Sequence, residues 1–190
     1  MPSRSVPEKR VPTLSVEQWR SAALQALAEG GLRAVAIESL ARALGVTKGS
    51  GYWHFENRAA LLRATLEEWE TKTTERVIAR LEAIADPRAR LSALMRTAFT
   101  KSLDARVYLA LASAGHEPLV AATLRRVAQR RIGYLAACYE ALGHTPPVAS
   151  RRALVAYSVY LGVVMLRQQA PEVVTEAREA LVEHLIETLI

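Results

Sequence analysis

Between Ile37 and Leu62 the chain fits two short helices around a glycine turn, followed by the start of a third helix. Ala41 is small enough for the second helix to cross close to the first. Gly45, four residues on, tolerates the special backbone of the turn, and Leu44 and Val46 plug the angle between the helices. This is helix-turn-helix spacing, a unit whose second helix lies in a DNA major groove. Thr47 stands where it caps that helix. Lys48, Gly49 and Ser50 follow in its first turn, where the dipole and free N–H groups favour a phosphate. Tyr52 can reach a phosphate with its hydroxyl or pack on a thymine methyl, and His54 is a further donor. Trp53 suits stacking on sugar or base, or equally resting on the first helix of its own head. Phe55 is expected to turn inward. Glu38 suits a plain surface position or acceptance from a cytosine amino group.

Charge is consistent with a polyanionic partner without proving one. The chain of 190 residues carries a formal net charge of +6, and residues 1–58 hold 8 Lys/Arg against 5 Asp/Glu. A Pro-punctuated basic segment at residues 1–13, with Arg4, Lys9 and Arg10, reads as an arm able to touch phosphates or an adjacent minor groove, or as an ordinary frayed terminus. The single cysteine, Cys138, excludes an intrachain disulfide framework and fits a reducing cytoplasm. The N-terminus lacks the apolar run of a signal peptide. No segment offers about 18 uninterrupted apolar residues, so no membrane span is expected. The richest stretch, Ala153 to Leu166, suits a buried helix or a dimer face.

The helical grammar extends in both directions. Ser15 and Gln18 have capping-box spacing, Leu14 can staple onto Trp19, and Gly30-Gly31 stops the first helix. Asn57 caps a long helix with Leu62, Leu66, Trp69, Val77, Leu81 and Ile84 at helical spacing. Prolines at 87, 118, 146, 147 and 171 mark later helix starts, predicting helices over about 87–102, 105–113, 117–142, 147–168 and 172–189. No stretch alternates as a strand does, so the chain is all-α.

Gly45-Val46-Thr47-Lys48-Gly49-Ser50-Gly51-Tyr52-Trp53-His54-Phe55, with Asn57-Arg58 and Leu61-Leu62 behind it, resembles the DNA-binding head of TetR-family transcriptional regulators. The resemblance covers about residues 15–65. It implies phosphate contacts from Thr47, Tyr52 and His54, with Lys48, Gly49 and Ser50 toward the groove. It also implies a homodimer reading two half-sites of palindromic double-stranded DNA, and a repressor released by a small molecule. Two departures stand out. Gly51 occupies a position where the family usually has a large apolar residue, and Ala36 replaces the usual Ser or Thr cap of the second helix.

The resulting division is an arm at 1–13, a helix-turn-helix domain at 14–58, and a helical ligand-binding and dimerisation domain at 59–190. Trp69, Met95, Phe99, Tyr108, Tyr134, Cys138, Tyr160 and Met165 are candidate walls of a cavity for an apolar or aromatic effector. Each is also a plausible plain core residue. Arg96 and Lys101 are weaker candidates as anchors for an acid. Leu154, Tyr157, Ser158, Leu161 and Met165 on one helix, with Ala177, Leu181, His184, Leu185 and Thr188 on the last, form stripes suited to a dimer interface. Arg125, Arg126, Arg130 and Arg131 make their helix basic, and Glu172, Glu176, Glu179, Glu183 and Glu187 make the outer face of the last helix acidic, so that some can form weak surface pairs across the fold or dimer; almost no buried-charge signature is evident. His54, His116, His144 and His184 show no ligand spacing, so no metal or cofactor is expected. None has a Glu three residues before it and no nucleophile–base pair is visible, which argues against an enzyme. An architectural DNA binder without an effector is the alternative from another class.

Overall fold

The computed structural model describes residues 14–100, 102–174 and 178–190, and every regular element among them is helical. The arm at 1–13, Lys101 and Ala177 lie outside the described residues. Helix α1 (Val16–Ala34) starts at the expected capping box: Ser15 Oγ accepts from the Gln18 amide at 3.3 Å, and Gln18 Oε1 accepts from the Ser15 amide at 2.8 Å. Gly31 breaks its course at φ 66°, but a ψ of −165° takes the chain out of the left-handed helical region, and one more helical turn follows to Ala34.

Helix α2 (Ile37–Leu44) ends in a Schellman motif. Gly45 sits at φ 67°, its amide bonds to Arg42 O at 3.3 Å, and the Val46 amide reaches back to Ala41 O at 3.0 Å. Ala36 provides no side-chain cap. The corner before α2 is instead tied by Arg58, which donates to Val35 O at 3.0 Å and Leu32 O at 2.6 Å. Thr47 caps α3 (Lys48–His54), and Asn57 caps α4 (Arg58–Glu70) through a 2.9 Å bond from the Ala60 amide.

The long fourth helix expected from the sequence is interrupted. After Glu70 comes a π-helical turn, Thr71–Glu75, and then α5 (Arg76–Glu82). A π turn inserts one residue into the helical repeat. Here it lies between two cores. Leu61, Leu62, Leu66 and Trp69 pack with the head, and Val77, Ile78 and Leu81 pack with the C-terminal helices. The remaining helices are α6 (Pro87–Thr100), α7 (Ser102–Ala112), α8 (Pro118–Ala141), α9 (Pro146–Gln169) and α10 (Arg178–Leu189), with a 3₁₀ turn at Pro171–Val173. The expected helix at 105–113 thus begins at Ser102, and the expected helix at 172–189 begins as the 3₁₀ turn. Helices α8 and α9 run against each other as a pair, with Ala149, Ala153 and Ala156 giving α9 a close approach. By length and composition alone α9 is long and apolar enough to cross a membrane, a test that a buried core helix also passes. Its Ala149, Ala153, Ala156, Tyr157, Tyr160 and Val164 are buried in the second core.

The two cores meet at a buried charge pair that sequence patterning did not reveal. Asp104 and Arg131 approach to 3.0 Å, with side chains 8% and 13% exposed. Asp104 Oδ1 also accepts from Trp69 Nε1 at 2.7 Å, and Oδ2 from the Tyr160 hydroxyl at 2.8 Å. Arg131 donates to Thr74 Oγ1 and Thr73 Oγ1, both at 2.9 Å, clasping the π turn. Five elements are thereby tied at one point. Removing one member of such a pair strands the other as a buried charge, whereas replacing both with apolar groups is far milder. Asp104→Ala is therefore expected to cost about 3–5 kcal/mol. The double variant Asp104→Leu/Arg131→Met should cost markedly less, as read from urea denaturation midpoints.

Candidate nucleic-acid interface and effector cavity

Helix α3 is seated on the head by a side chain it lacks. Gly51 is buried, and a Cβ built there falls 2.6 Å from Ile37 Cγ2 and 2.8 Å from Trp19 Cη2. The Trp19 indole, fully buried and edge-on to Phe55 at 6.4 Å, fills the space a large side chain at 51 would take. The glycine is therefore a complement to the tryptophan rather than a void. The Trp19 Nε1 has no hydrogen-bond partner, so this indole serves by volume.

With its inner side fixed in this way, α3 presents the rest of its length outward. Trp53 is 84% exposed and does not rest on α1; Tyr52 is 46% exposed. Lys48 and Gly49 are exposed in the first turn behind the Thr47 cap. The Tyr52 hydroxyl donates to Glu38 Oε1 at 2.6 Å. That bond holds the Glu38 carboxyl below its ordinary pKa and the Tyr52 phenol above its own. Glu38 thus positions the tyrosine, a link between α2 and α3 that no local sequence signal reveals.

Two expected donors are placed differently. The Ser50 hydroxyl is covered and lacks a partner, so it faces inward rather than to the groove. His54 Nε2 lies 2.8 Å from Leu14 O. The proton of a neutral ring must sit on Nε2 to make that bond, which leaves Nδ1 an acceptor. His54 then anchors the chain before α1, and its donation to a phosphate requires the protonated ring.

A second feature lies beyond the π turn. A cavity of about 70 Å³ is lined by Met95, Phe99, Tyr134 and Tyr160, as expected, and also by Thr73, Thr74, Asp104, Arg131 and Tyr157. Four expected walls are elsewhere. Trp69 stands behind Asp104, Cys138 is buried outside the lining, Tyr108 packs between the two cores, and Met165 faces a separate surface groove with Gln168 and Gln169. Burial lifts the Tyr157 and Tyr160 phenols above their ordinary range, helped by the Asp104 charge. Burial pushes the Tyr134 phenol up to about 12, with Cys138 adding to it. For Arg131 burial opposes the charge, and Asp104 more than compensates.

Arg96 pairs with Glu183, while Arg126 and Arg130 pair with Glu70 and Glu75 across α8 and the α4 region. Of the expected dimer stripe, Leu154 is 56% exposed and Ser158, His184 and Thr188 are exposed. Leu161, Leu181 and Leu185 are half-buried or buried less completely than the core, and Tyr157 faces the cavity instead. Its neighbours at helical spacing, Ala153, Ala156, Tyr160 and Val164, mark the inner face of α9; Val155 and Leu166 extend the outer one. Among the described residues there is no cluster of three His, Cys, Asp or Glu able to hold a metal.

Known proteins fit this geometry. The family model described as bacterial regulatory proteins, tetR family, matches residues 20–65. The HTH-type transcriptional regulator BetI of Rhizobium meliloti is 35% identical over 78 residues, spanning 41% of this chain and only 38% of that protein. BetI 2 of Chromohalobacter salexigens is 28% identical over 155 residues, 78% of this chain and 74% of its own length. Among solved structures, a transcriptional regulator from Rhodococcus sp. Rha1 shares the fold at TM-score 0.75 and 23% identity, with 93% and 94% of the two chains covered. A regulator from Saccharomonospora viridis in complex with choline does so at 0.73 and 18%, covering 91% and 92%. FadR of Bacillus subtilis in complex with stearoyl-CoA does so at 0.70 and 17%, covering 93% and 98%.

The seating of α3 yields a paired prediction. Gly51→Ala should destabilise the protein by about 1–3 kcal/mol through overpacking, outweighing the ~0.5–1 kcal/mol helix-propensity gain. Gly49→Ala, whose Cβ would meet only Thr47 Oγ1 at 3.8 Å, should be neutral or stabilising. Thermal denaturation of the two variants checks this.

Proposed function

We propose that this protein is a DNA-binding transcriptional regulator of the TetR family, a homodimeric repressor that sets two copies of α3 into a palindromic operator and leaves when an effector fills the cavity. The observation that carries the DNA contact is the outward face of α3. A short helix whose buried side is a glycine against an indole leaves Lys48, Tyr52 and Trp53 exposed together. Lys48 then stands at the groove edge, where its ammonium also neutralises a phosphate, Thr47 and Tyr52 contact the phosphates, and Trp53 stacks on sugar or base. The division into an arm at 1–13, a head at 14–58 and an effector and dimer domain at 59–190 goes with this reading. So does a cytoplasmic location.

The exposed Leu154, Val155 and Leu166 on α9 support a dimer seam there, continued by Leu181 and Leu185 on α10. An exposed apolar face of this kind commonly marks an association surface. The neighbours solved with choline and stearoyl-CoA support a small-molecule effector for this fold. Thr73 and Thr74 line the cavity from the π turn that continues the α4 helix, and α4 packs against α1 of the head. An effector that favours one setting of that helix shifts the spacing of the two heads. It releases DNA to the extent that its affinity differs between the two settings.

A lysine that neutralises a phosphate releases a counterion on binding, so its removal weakens the dependence of affinity on salt. In a dimer, Lys48→Ala takes two such cations out of the interface. Operator affinity should fall, and the slope of log K against log salt should shrink by about 2. Tyr52→Ala should weaken operator binding with the dimer intact on sizing chromatography. Retention of native operator affinity by both variants in titrations at several salt concentrations contradicts the assignment of α3.

A further inference from the structure

We propose that Glu38 is a specificity-determining residue of the nucleic-acid interface: its carboxylate accepts from the exocyclic amino group of a cytosine in each half-site and disfavours duplexes without that donor. The proposal rests on reading the outer face of α3 as the surface that meets DNA.

Glu38 belongs to α2, yet its side chain stands among the exposed residues of α3. Oε1 accepts from the Tyr52 hydroxyl at 2.6 Å, across the corner between the two helices. Lys48 lies near enough for its charge to act on the carboxyl. Glu38, Lys48 and Tyr52 are all exposed, so a surface that Lys48 and Tyr52 present to a partner includes this acid. The Tyr52 bond, the residue's own backbone amide and, more weakly, Lys48 hold its pKa below the ordinary carboxylate value. It is therefore ionised at neutral pH.

Holding a tyrosine does not require a charge, because a neutral amide or hydroxyl oxygen also accepts from a phenol. A carboxylate on a surface that meets phosphates carries like-charge repulsion toward every duplex. That repulsion is offset only where the duplex supplies donors. An ionised carboxylate is acceptor-only, with about four sites, and Tyr52 fills one of them. Tyr52 has a single hydroxyl proton. When it turns to a phosphate, both carboxylate oxygens are left to the duplex. In either arrangement the acid meets the groove with unfilled acceptor sites.

The base donors of the major groove are cytosine N4 and adenine N6. Adenine carries the N7 acceptor beside N6, which repels an approaching carboxylate. Cytosine presents its donor alone, and it is the base whose edge a Glu matches. Guanine and thymine edges offer acceptors only, as do the phosphates. Glu38 therefore favours cytosine and penalises the rest. In a dimer the penalty applies twice, because each α2–α3 pair brings its own Glu38.

The test compares the full-length protein with Glu38→Gln and Glu38→Ala, by sequencing the duplexes each retains from a random pool and by titrating operator and random duplex. Glu38 is exposed, so neither substitution disturbs the core. The protein is expected to enrich a cytosine at one symmetry-related position of each half-site. Replacing that cytosine in both half-sites should weaken binding by about tenfold or more. Glu38→Gln keeps the size but brings an amide that matches adenine N6 and N7, so cytosine should give way to adenine or to no preference. Glu38→Ala should show no preference there. Both variants should bind random duplex more tightly, by about threefold, once the repulsive charge is gone. A residue that only positions Tyr52 gives a different pattern, with uniformly weaker binding and every preferred base unchanged. That pattern overturns the proposal, as does cytosine enrichment surviving in either variant. If the protein itself enriches no inverted repeat, the operator reading fails and the role of Glu38 falls with it. An inverted repeat identical in all three leaves the operator reading standing and removes the role of Glu38 alone.

Discussion

A buried carboxylate and a buried guanidinium tie this molecule's two cores together where they meet. Neither charge is tolerable alone in that surrounding. Each therefore constrains the elements around it. Asp104 on α7 draws in Trp69 from α4 and Tyr160 from α9, and Arg131 on α8 clasps Thr73 and Thr74 of the π turn. The consequence is positional more than energetic, since such pairs are often replaceable by apolar groups at little cost in stability. What a pair of hydrophobes does not reproduce is direction. The hydrogen bonds fix where the helix leaving the head turns toward the cavity, and they put the cavity wall and the head-bearing helix against the same two side chains.

The head shows the same logic without charge. Trp19 and Gly51 are complementary in volume, and the tryptophan lies on α1 while the glycine lies on α3. A short helix with a small residue on its inner side can rest flat on an indole, and Lys48, Tyr52 and Trp53 are then left on its outer side. Tyr52 is steadied by Glu38 of α2 and His54 by the carbonyl of Leu14, so two side chains of the helix are ordered before any partner arrives. Ordering such groups in advance lowers the entropic cost of binding.

Local features of this fold were legible in the sequence because their causes are local. The Ser15–Gln18 box, the Thr47 and Asn57 caps and the Gly45 turn each depend on residues within a few positions, and each is present. The features that escaped depend on distant partners. Arg131 sits in a run with Arg125, Arg126 and Arg130 and reads as surface. Yet it shares a helical face with Val127, Tyr134, Leu135 and Cys138, which was the available signal that it points inward. Its partner Asp104 is 27 residues away. The π turn has no composition of its own, and its Thr73 and Thr74 are held by Arg131 from a distant helix. Gly51 reads only as a departure from the usual large apolar residue because its complement, Trp19, lies far from it in the chain. Tyr157 was grouped with Leu154 and Ser158 although its spacing from Ala153 and Tyr160 places it on the inner arc of α9.

Two copies of α3, held by an α9–α10 seam, are proposed to read one symmetric site. Sequencing the duplexes that the full-length protein retains from a random pool tests it most directly. An inverted repeat whose half-site centres lie about one helical turn apart, or a multiple of it, is the expected result. Retention without enrichment of any sequence, or enrichment of a site with no two-fold symmetry, contradicts it.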